Sequence, residues 1–234
     1  MSAIFRREFR AYFTSPVGFV VIAIVFLFTG FFFTTYNIYS LSPDLSYVFS
    51  SLFPVALIIL PILTMRLFSD EKRMKTDQVL LTSPVSIGGI IIGKFLAAFL
   101  VFALSLILMM VFAMIIAFQV MPDWLVIIGN YLGILLVGGL VISIGLLISS
   151  ITESQLIAAI GTLAISLILL LMDGLASLLN FSLLIIIANF ISISQRYSSF
   201  TSGIIAYDDI IFFLSMQALF LFLTARVLDK KRWS

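Results

Sequence analysis

Apolar runs of about 20 residues recur along this chain, and its charged side chains are confined to the ends of those runs. The hydrocarbon core of a bilayer, ~30 Å thick, takes about 20 apolar residues per helix. The runs therefore read as membrane spans, expected at 17–36, 47–67, 90–118, 125–149, 155–172 and 210–228. With 62% of its 234 residues hydrophobic, the chain does not fit an ordinary soluble domain. Laying out the spans also sorts the charges. Arg6, Arg7 and Arg10 precede the first. Arg66, Lys72, Arg73, Lys75 and Lys94 surround the loop after the second, and Arg226, Lys230, Lys231 and Arg232 close the chain. Twelve of thirteen basic residues thus fall on one side, with Arg196 the exception. Lys and Arg are retained in the cytoplasm during insertion. Both termini and the charged loop are accordingly expected there, in the cytoplasmic membrane of a prokaryote.

The fold class expected is an all-α polytopic membrane protein with six transmembrane helices. The run after the fifth span, 174–200, is long enough to tempt a seventh crossing, but that would place Asp229 to Arg232 outside, against the charge rule. A re-entrant outer helix pair, dipping into the leaflet and returning, fits better and is tolerated where protein covers the backbone. Before the first span, residues 1–15 place Ile4, Phe5, Phe9, Tyr12 and Phe13 on one half of a helical projection and Arg6, Arg7 and Arg10 on the other. That pattern predicts an amphipathic helix lying in the membrane plane. The first apolar run lacks a small-residue cleavage site and reads as a retained span, not a secretory signal. Pro54 and Pro61, seven residues apart in the second span, predict a kinked or broken helix.

Several chemistries are excluded. With no Cys and no His there is no disulfide framework, no thiolate or imidazole metal site and no Ser–His nucleophile. Net charge is only +2, and the basic clusters face anionic headgroups first, so nucleic acid is a poor partner. Gly88-Gly-Ile-Ile-Ile-Gly93-Lys94-Phe95 falls one residue short of the nucleotide-binding P-loop, which needs Ser or Thr after the lysine. A Lys94 that snorkels to the headgroup level is the expectation instead. The eleven carboxylates all lie at or near span ends, whereas ion- and proton-coupled transporters keep ionisable groups in mid-membrane. Energy for any uphill transport would have to come from elsewhere.

Two features point to interactions. In the fifth span Gln155, Ala159, Thr162, Ser166 and Asp173 recur at helical spacing and form a narrow polar stripe. It should face protein or water, either packing against a partner helix or lining a route, and a dimer seam would satisfy both. The cytoplasmic stretch 69–83 carries Asp70, Glu71, Lys72, Arg73, Met74, Val79 and Leu80. Ser69 or Asp70 is expected to cap a short helix whose apolar side chains dock on something else. In the fourth span Gly129, Gly133, Gly138 and Gly145 predict close helix packing within one protomer.

Four stretches carry a family resemblance. They are Phe5-Arg-Arg-Glu-Phe-Arg-Ala-Tyr-Phe-Thr-Ser-Pro16; Asp70-Glu-Lys-Arg through Leu81-Thr-Ser-Pro84, followed by Gly93-Lys94-Phe95; Ser149-Ser-Ile-Thr-Glu-Ser-Gln155; and Arg196 through Asp209-Ile-Ile-Phe-Phe-Leu-Ser215. In this order they resemble the membrane subunits of type-2 ABC exporters (ABC-2 permeases), closest to those of gliding motility and of nitrous oxide reductase maturation. The resemblance implies one transmembrane domain over 1–234, a coupling helix at 69–83, and a second membrane subunit forming a homodimer or heterodimer. It also implies a separate P-loop ATPase subunit that binds ATP and Mg²⁺, with no cofactor and no catalytic site in this chain. Where many relatives have glycine, this chain has Met74-Lys75 before Thr76. A non-transporting membrane anchor of a motility or assembly complex is the competing reading. The substrate is not legible, since lipids, peptides and drugs fit such a chain equally.

Overall fold

The computed structural model describes residues 2–76, 86–118, 121–179 and 192–232. Among these the regular structure is helical, with no strand: α1 Ser2–Thr14, α2 Pro16–Phe33, α3 Ser46–Thr64, α4 Ser69–Arg73, α5 Ile87–Ala117, α6 Trp124–Ile151, α7 Gln155–Leu179, α8 Ile193–Thr201 and α9 Tyr207–Arg232. Six segments are long and apolar enough to cross a membrane: Pro16–Ile38, Ser46–Arg73, Ile87–Ala117, Trp124–Ile151, Gln155–Gly174 and Tyr207–Arg232. The chain is a multi-pass membrane protein.

Local chemistry explains where these helices begin. Pro16 sits at the first turn of α2, where its missing N–H costs nothing. Ser86 caps α5 by accepting from Gly89 N, and Asp123 caps α6 by accepting from Leu125 N and Val126 N. The first span continues past α2 as a π-helical turn, Thr34–Ile38. From that turn Asn37 Nδ2 donates to Ser42 O at 2.7 Å and Asp44 O at 3.0 Å, fixing the bend into the second span. Of the two outcomes expected for that span, kinked or broken, the break is not seen: α3 runs continuously through Pro54 and Pro61. Proline tolerance in membrane helices rests on neighbours that restrain the backbone, and α3 is enclosed by α2, α6, α7 and α8.

Helix α6 is the hub, packing against α3, α5, α7, α8 and α9. Buried residues make up 72% of its most apolar stretch, against 17% in α7 and in α9. Glycines make this closeness possible, as the sequence predicts. A Cβ on Gly133 would lie 2.8 Å from Phe200 Cβ, and one on Gly138 would lie 2.6 Å from Phe102 Cδ1. On Gly139 it would meet the Gln217 amide at 2.9 Å, and on Gly145 it would meet Thr64 Cβ at 2.6 Å. Each glycine is a notch that receives one neighbour's side chain. Lipid provides no hydrophobic drive for helix association, so such shape matching carries the packing.

Helices α6 and α9 run parallel, with Gly203 beside Val126 at their start and Gln217 Nε2 donating to Leu136 O further along. The C-terminal basic cluster therefore emerges at the same end as α1 and α4. At the opposite end the chain leaves α7 and returns: Ser192 Oγ donates to Asp173 Oδ2 at 2.6 Å. Most of the stretch between them, 180–191, lies outside the described residues. The lone far-end cation, Arg196, pairs with Asp209 at 2.9 Å and lies 4.1 Å from the Phe212 ring centroid.

Candidate functional site

The site is an elbow where α3 leaves the apolar layer and turns through 65–68 into α4. The last carbonyls of a helix have no intrahelical donor, and here side chains from three other helices supply them. Tyr12 of α1 donates its hydroxyl to Leu63 O at 2.9 Å. Ser149 of α6 donates to Met65 O at 3.4 Å, and Lys94 of α5 donates to Leu67 O at 2.6 Å. A cation at a helix C-terminus also complements the dipole.

The start of α4 is capped from outside. Its N-cap, Phe68, offers no side-chain hydrogen bond, and neither Ser69 nor Asp70 takes the role expected of it. Instead Ser149 Oγ accepts from Phe68 N at 2.9 Å and from Ser69 N at 3.0 Å. Ser69 Oγ turns back to Met65 O. One hydroxyl at the end of α6 thus holds both the end of one helix and the start of the next.

Four charges then close the elbow against α1 and α5. Arg7 Nη2 bridges Glu8 Oε1 at 2.5 Å and Glu71 Oε1 at 2.6 Å. Lys94 Nζ bridges the same two oxygens, each at 3.1 Å. The ring alternates in sign and is neutral. Lys94 is 1% exposed, so it does not snorkel to the headgroups as expected. A carboxylate on either side, the Leu67 carbonyl and the Phe68 ring at 5.0 Å satisfy it in place. Burial pulls the pKa of Arg7 down, but hydrogen bonds and charge from Glu8 and Glu71 outweigh that and leave it raised. Burial, reinforced by the Glu8 charge, drives the Tyr12 hydroxyl well above its usual value, so it stays a neutral donor. A cleft of about 390 Å³ opens beside the ring, bordered by Arg66, Asp70, Met74 and Thr76.

The remaining residues of the 69–83 segment divide by exposure. Asp70 accepts from Gln155 Nε2 of α7 and pairs with Arg66 at 3.4 Å and Arg73 at 3.5 Å. Lys72 is buried and donates to Ser150 O. Lys75 ends the helix in the left-handed region, φ 56°, a conformation that glycine adopts at no cost. Met74, at 61% exposure, is the apolar side chain left facing outward. Val79 and Leu80 lie outside the described residues.

The polar stripe of α7 resolves into three contacts. Gln155 joins the elbow, and Asp173 joins Ser192 and Gln195 at the far end. Between them Thr162 and Ser166 are buried within the single chain, their hydroxyls donating to Ala158 O and Thr162 O, while Ala159 is partly buried. The middle of the stripe is turned onto its own protomer, where α7 meets α3 and α6. Within one copy, then, Thr162 and Ser166 already have protein neighbours. The opposite face carries Leu156, Ile157, Ile160 and Ile168, all exposed. Protein-family models give no match to this chain, and a search of curated proteins gives none.

Proposed function

We propose that this chain is the membrane-spanning subunit of an ATP-driven exporter of the ABC-2 type, a single transmembrane domain over 1–234. On this reading a separate P-loop ATPase subunit binds ATP and Mg²⁺, and a second membrane subunit completes the transporter. The site lies in the cytoplasmic membrane with both termini inside, α1 lies in the membrane plane, and the chain between α7 and α9 re-enters the outer leaflet. The 2.6 Å contact from Asp173 to Ser192 supports the re-entrant path, since a single crossing would carry its two ends apart.

One observation carries the reading. Helix α4 is five residues long, yet its side chains, or the turn leading into it, are held by α1, α5, α6 and α7. A force applied to α4 is therefore delivered to most of the bundle, as a coupling element requires. Met74 stands exposed on that braced helix for an incoming partner.

The test is purification of the tagged chain from its native membranes in mild detergent. A P-loop subunit identified by mass spectrometry, bringing vanadate-sensitive Mg-ATP hydrolysis, is the expected result. Burying a Met side chain contributes about 1.5–3 kcal/mol, so Met74→Asp should cut recovery of that subunit by about tenfold or more. Recovery without any P-loop subunit, or undiminished recovery with Met74→Asp and Leu80→Asp combined, would refute the assignment.

A further inference from the structure

Helix α1 presents three arginines, of which only Arg7 has an ionic partner among the described residues. Arg7 belongs to the ionic ring at the elbow. Arg6 and Arg10, one helical turn apart and exposed, make no ion pair or side-chain hydrogen bond among the described residues. They border a shallow surface hollow of about 960 Å³ that Phe5 and Phe9 also line. Those rings begin a ladder: Phe5 to Phe9 at 5.9 Å, Phe9 to Phe13 at 5.0 Å, and Phe13 to Phe19 at 5.5 Å. Phe19 belongs to α2, is 58% exposed, and lies on the bilayer-facing surface of the first span. An apolar track thus leads from the surface of that span to two adjacent guanidinium groups with no partner among the described residues.

We infer that Arg6 and Arg10 form a binding site for one anionic phospholipid, its phosphate on the two guanidinium groups and its upper acyl chain along the Phe5–Phe9–Phe13 ladder. Guanidinium pairs bind phosphate oxygens through short charge-assisted hydrogen bonds. An anionic headgroup is selected over a zwitterionic one because a headgroup ammonium would be pressed against two cations with no carboxylate to receive it; Glu8 is already engaged by Arg7 and Lys94. The site is one residue from Arg7, and so one ion pair from Glu71 of α4. Lipid composition thereby bears directly on the elbow. This inference rests on the in-plane reading of α1, and the experiment separates the two.

Because the chain has no Cys, Ala3→Cys carries a single bimane label next to the site. The labelled protein is reconstituted into vesicles of phosphatidylcholine containing equal mole fractions of either brominated phosphatidylglycerol or brominated phosphatidylcholine. Quenching should favour the brominated phosphatidylglycerol by about tenfold in apparent affinity, since each basic residue near an anionic surface adds substantially to binding. Arg6→Gln with Arg10→Gln should erase the preference, while Arg6→Lys with Arg10→Lys should keep most of it. Inorganic phosphate at millimolar concentration should not compete. No quenching by either lipid would overturn the in-plane helix itself. Equal quenching by both, a preference that survives the Gln pair, or full competition by inorganic phosphate would each overturn the lipid site while leaving the helix in the membrane plane.

Discussion

Adding one methyl group at Gly138 should loosen the whole bundle. Its Cβ would lie 2.6 Å from Phe102 Cδ1, and closer still to Cε1. Carbon atoms rest at about 3.5–4.0 Å, so the ring must retreat by about 1 Å or more. Phe102 is 1% exposed and has nowhere empty to go. Overpacking of this kind costs about 1–3 kcal/mol, occasionally more, set against about 0.8–1 kcal/mol gained from replacing a helical glycine with alanine. The difference spans about 0–2 kcal/mol, and an overlap this deep places the net loss at the upper end, about 2 kcal/mol. Equilibrium unfolding in mixed micelles, titrated with SDS and followed by circular dichroism, reads it directly. Phe102→Leu in the same chain vacates the overlapped space, so the pair should be less destabilised than the sum of its singles by about 1 kcal/mol. Gly88→Ala is the control, because nothing among the described residues lies within 4 Å of its Cβ, and it should unfold as wild type or slightly later. A wild-type midpoint for Gly138→Ala, or strict additivity with Phe102→Leu, would refute the notch mechanism.

Lys94→Met should be among the most damaging single changes outside the apolar core. It leaves Glu8 and Glu71 sharing only Arg7 and strips Leu67 O of its donor, and breaking a buried pair typically costs about 3–5 kcal/mol; the same SDS titration measures it. Arg73→Gln, which removes an exposed partner of Asp70, should change stability by less than about 1 kcal/mol in that assay. Thr162→Trp should misfold the isolated chain rather than merely block a dimer, because the site is fully buried in one protomer; size-exclusion profiles of the detergent-solubilised variant decide. Single cysteines at Leu41, Met121 and Ser198 should react with a membrane-impermeant maleimide from outside intact cells, and those at Ser2 and Thr76 only after lysis. Reaction of Ser2 and Ser198 from the same side would reject the six-span topology.

Much of the architecture was legible because a bilayer imposes length and polarity on every span. The expected spans agree with the helices to within a few residues, apart from α7, which continues to Leu179. The aromatic half of α1 is likewise the half that packs: Ile4 and Tyr12 are buried while Arg6, Arg7 and Arg10 are exposed. What periodicity cannot carry is the identity of a partner far along the chain. Lys94 looked like a snorkelling lysine because its two carboxylates come from α1 and α4, and Ser149 stood only as the last residue of a span because the N–H groups it caps lie 80 and 81 residues earlier. The α7 stripe announced that its hydroxyls avoid lipid, but a helical projection does not say whether the protein on the other side is the same molecule. Pro54 and Pro61 left kink and break both open for a related reason, since whether a proline breaks a helix depends on the neighbours enclosing it.

The ionic ring also imposes an order of events on synthesis. Glu8 is made early and its partner Lys94 comes 86 residues later. At about 5–20 residues per second, that is a wait of roughly 4–17 seconds. During it, two spans are inserted while α1 has neither Lys94 nor the Ile90–Phe95 region of α5 to rest on. If α1 lies in the membrane plane as proposed, its amphipathic faces give it somewhere to stay, rings toward the lipid and arginines toward the headgroups. When the third span arrives, Ile4 seats over Gly93, where a Cβ would lie 3.1 Å from the Ile4 Cγ2, and the four charges close. On that proposal the nascent N-terminus is held by the membrane first and by the protein second, and a ribosome that stalled before residue 94 would leave the elbow unlocked.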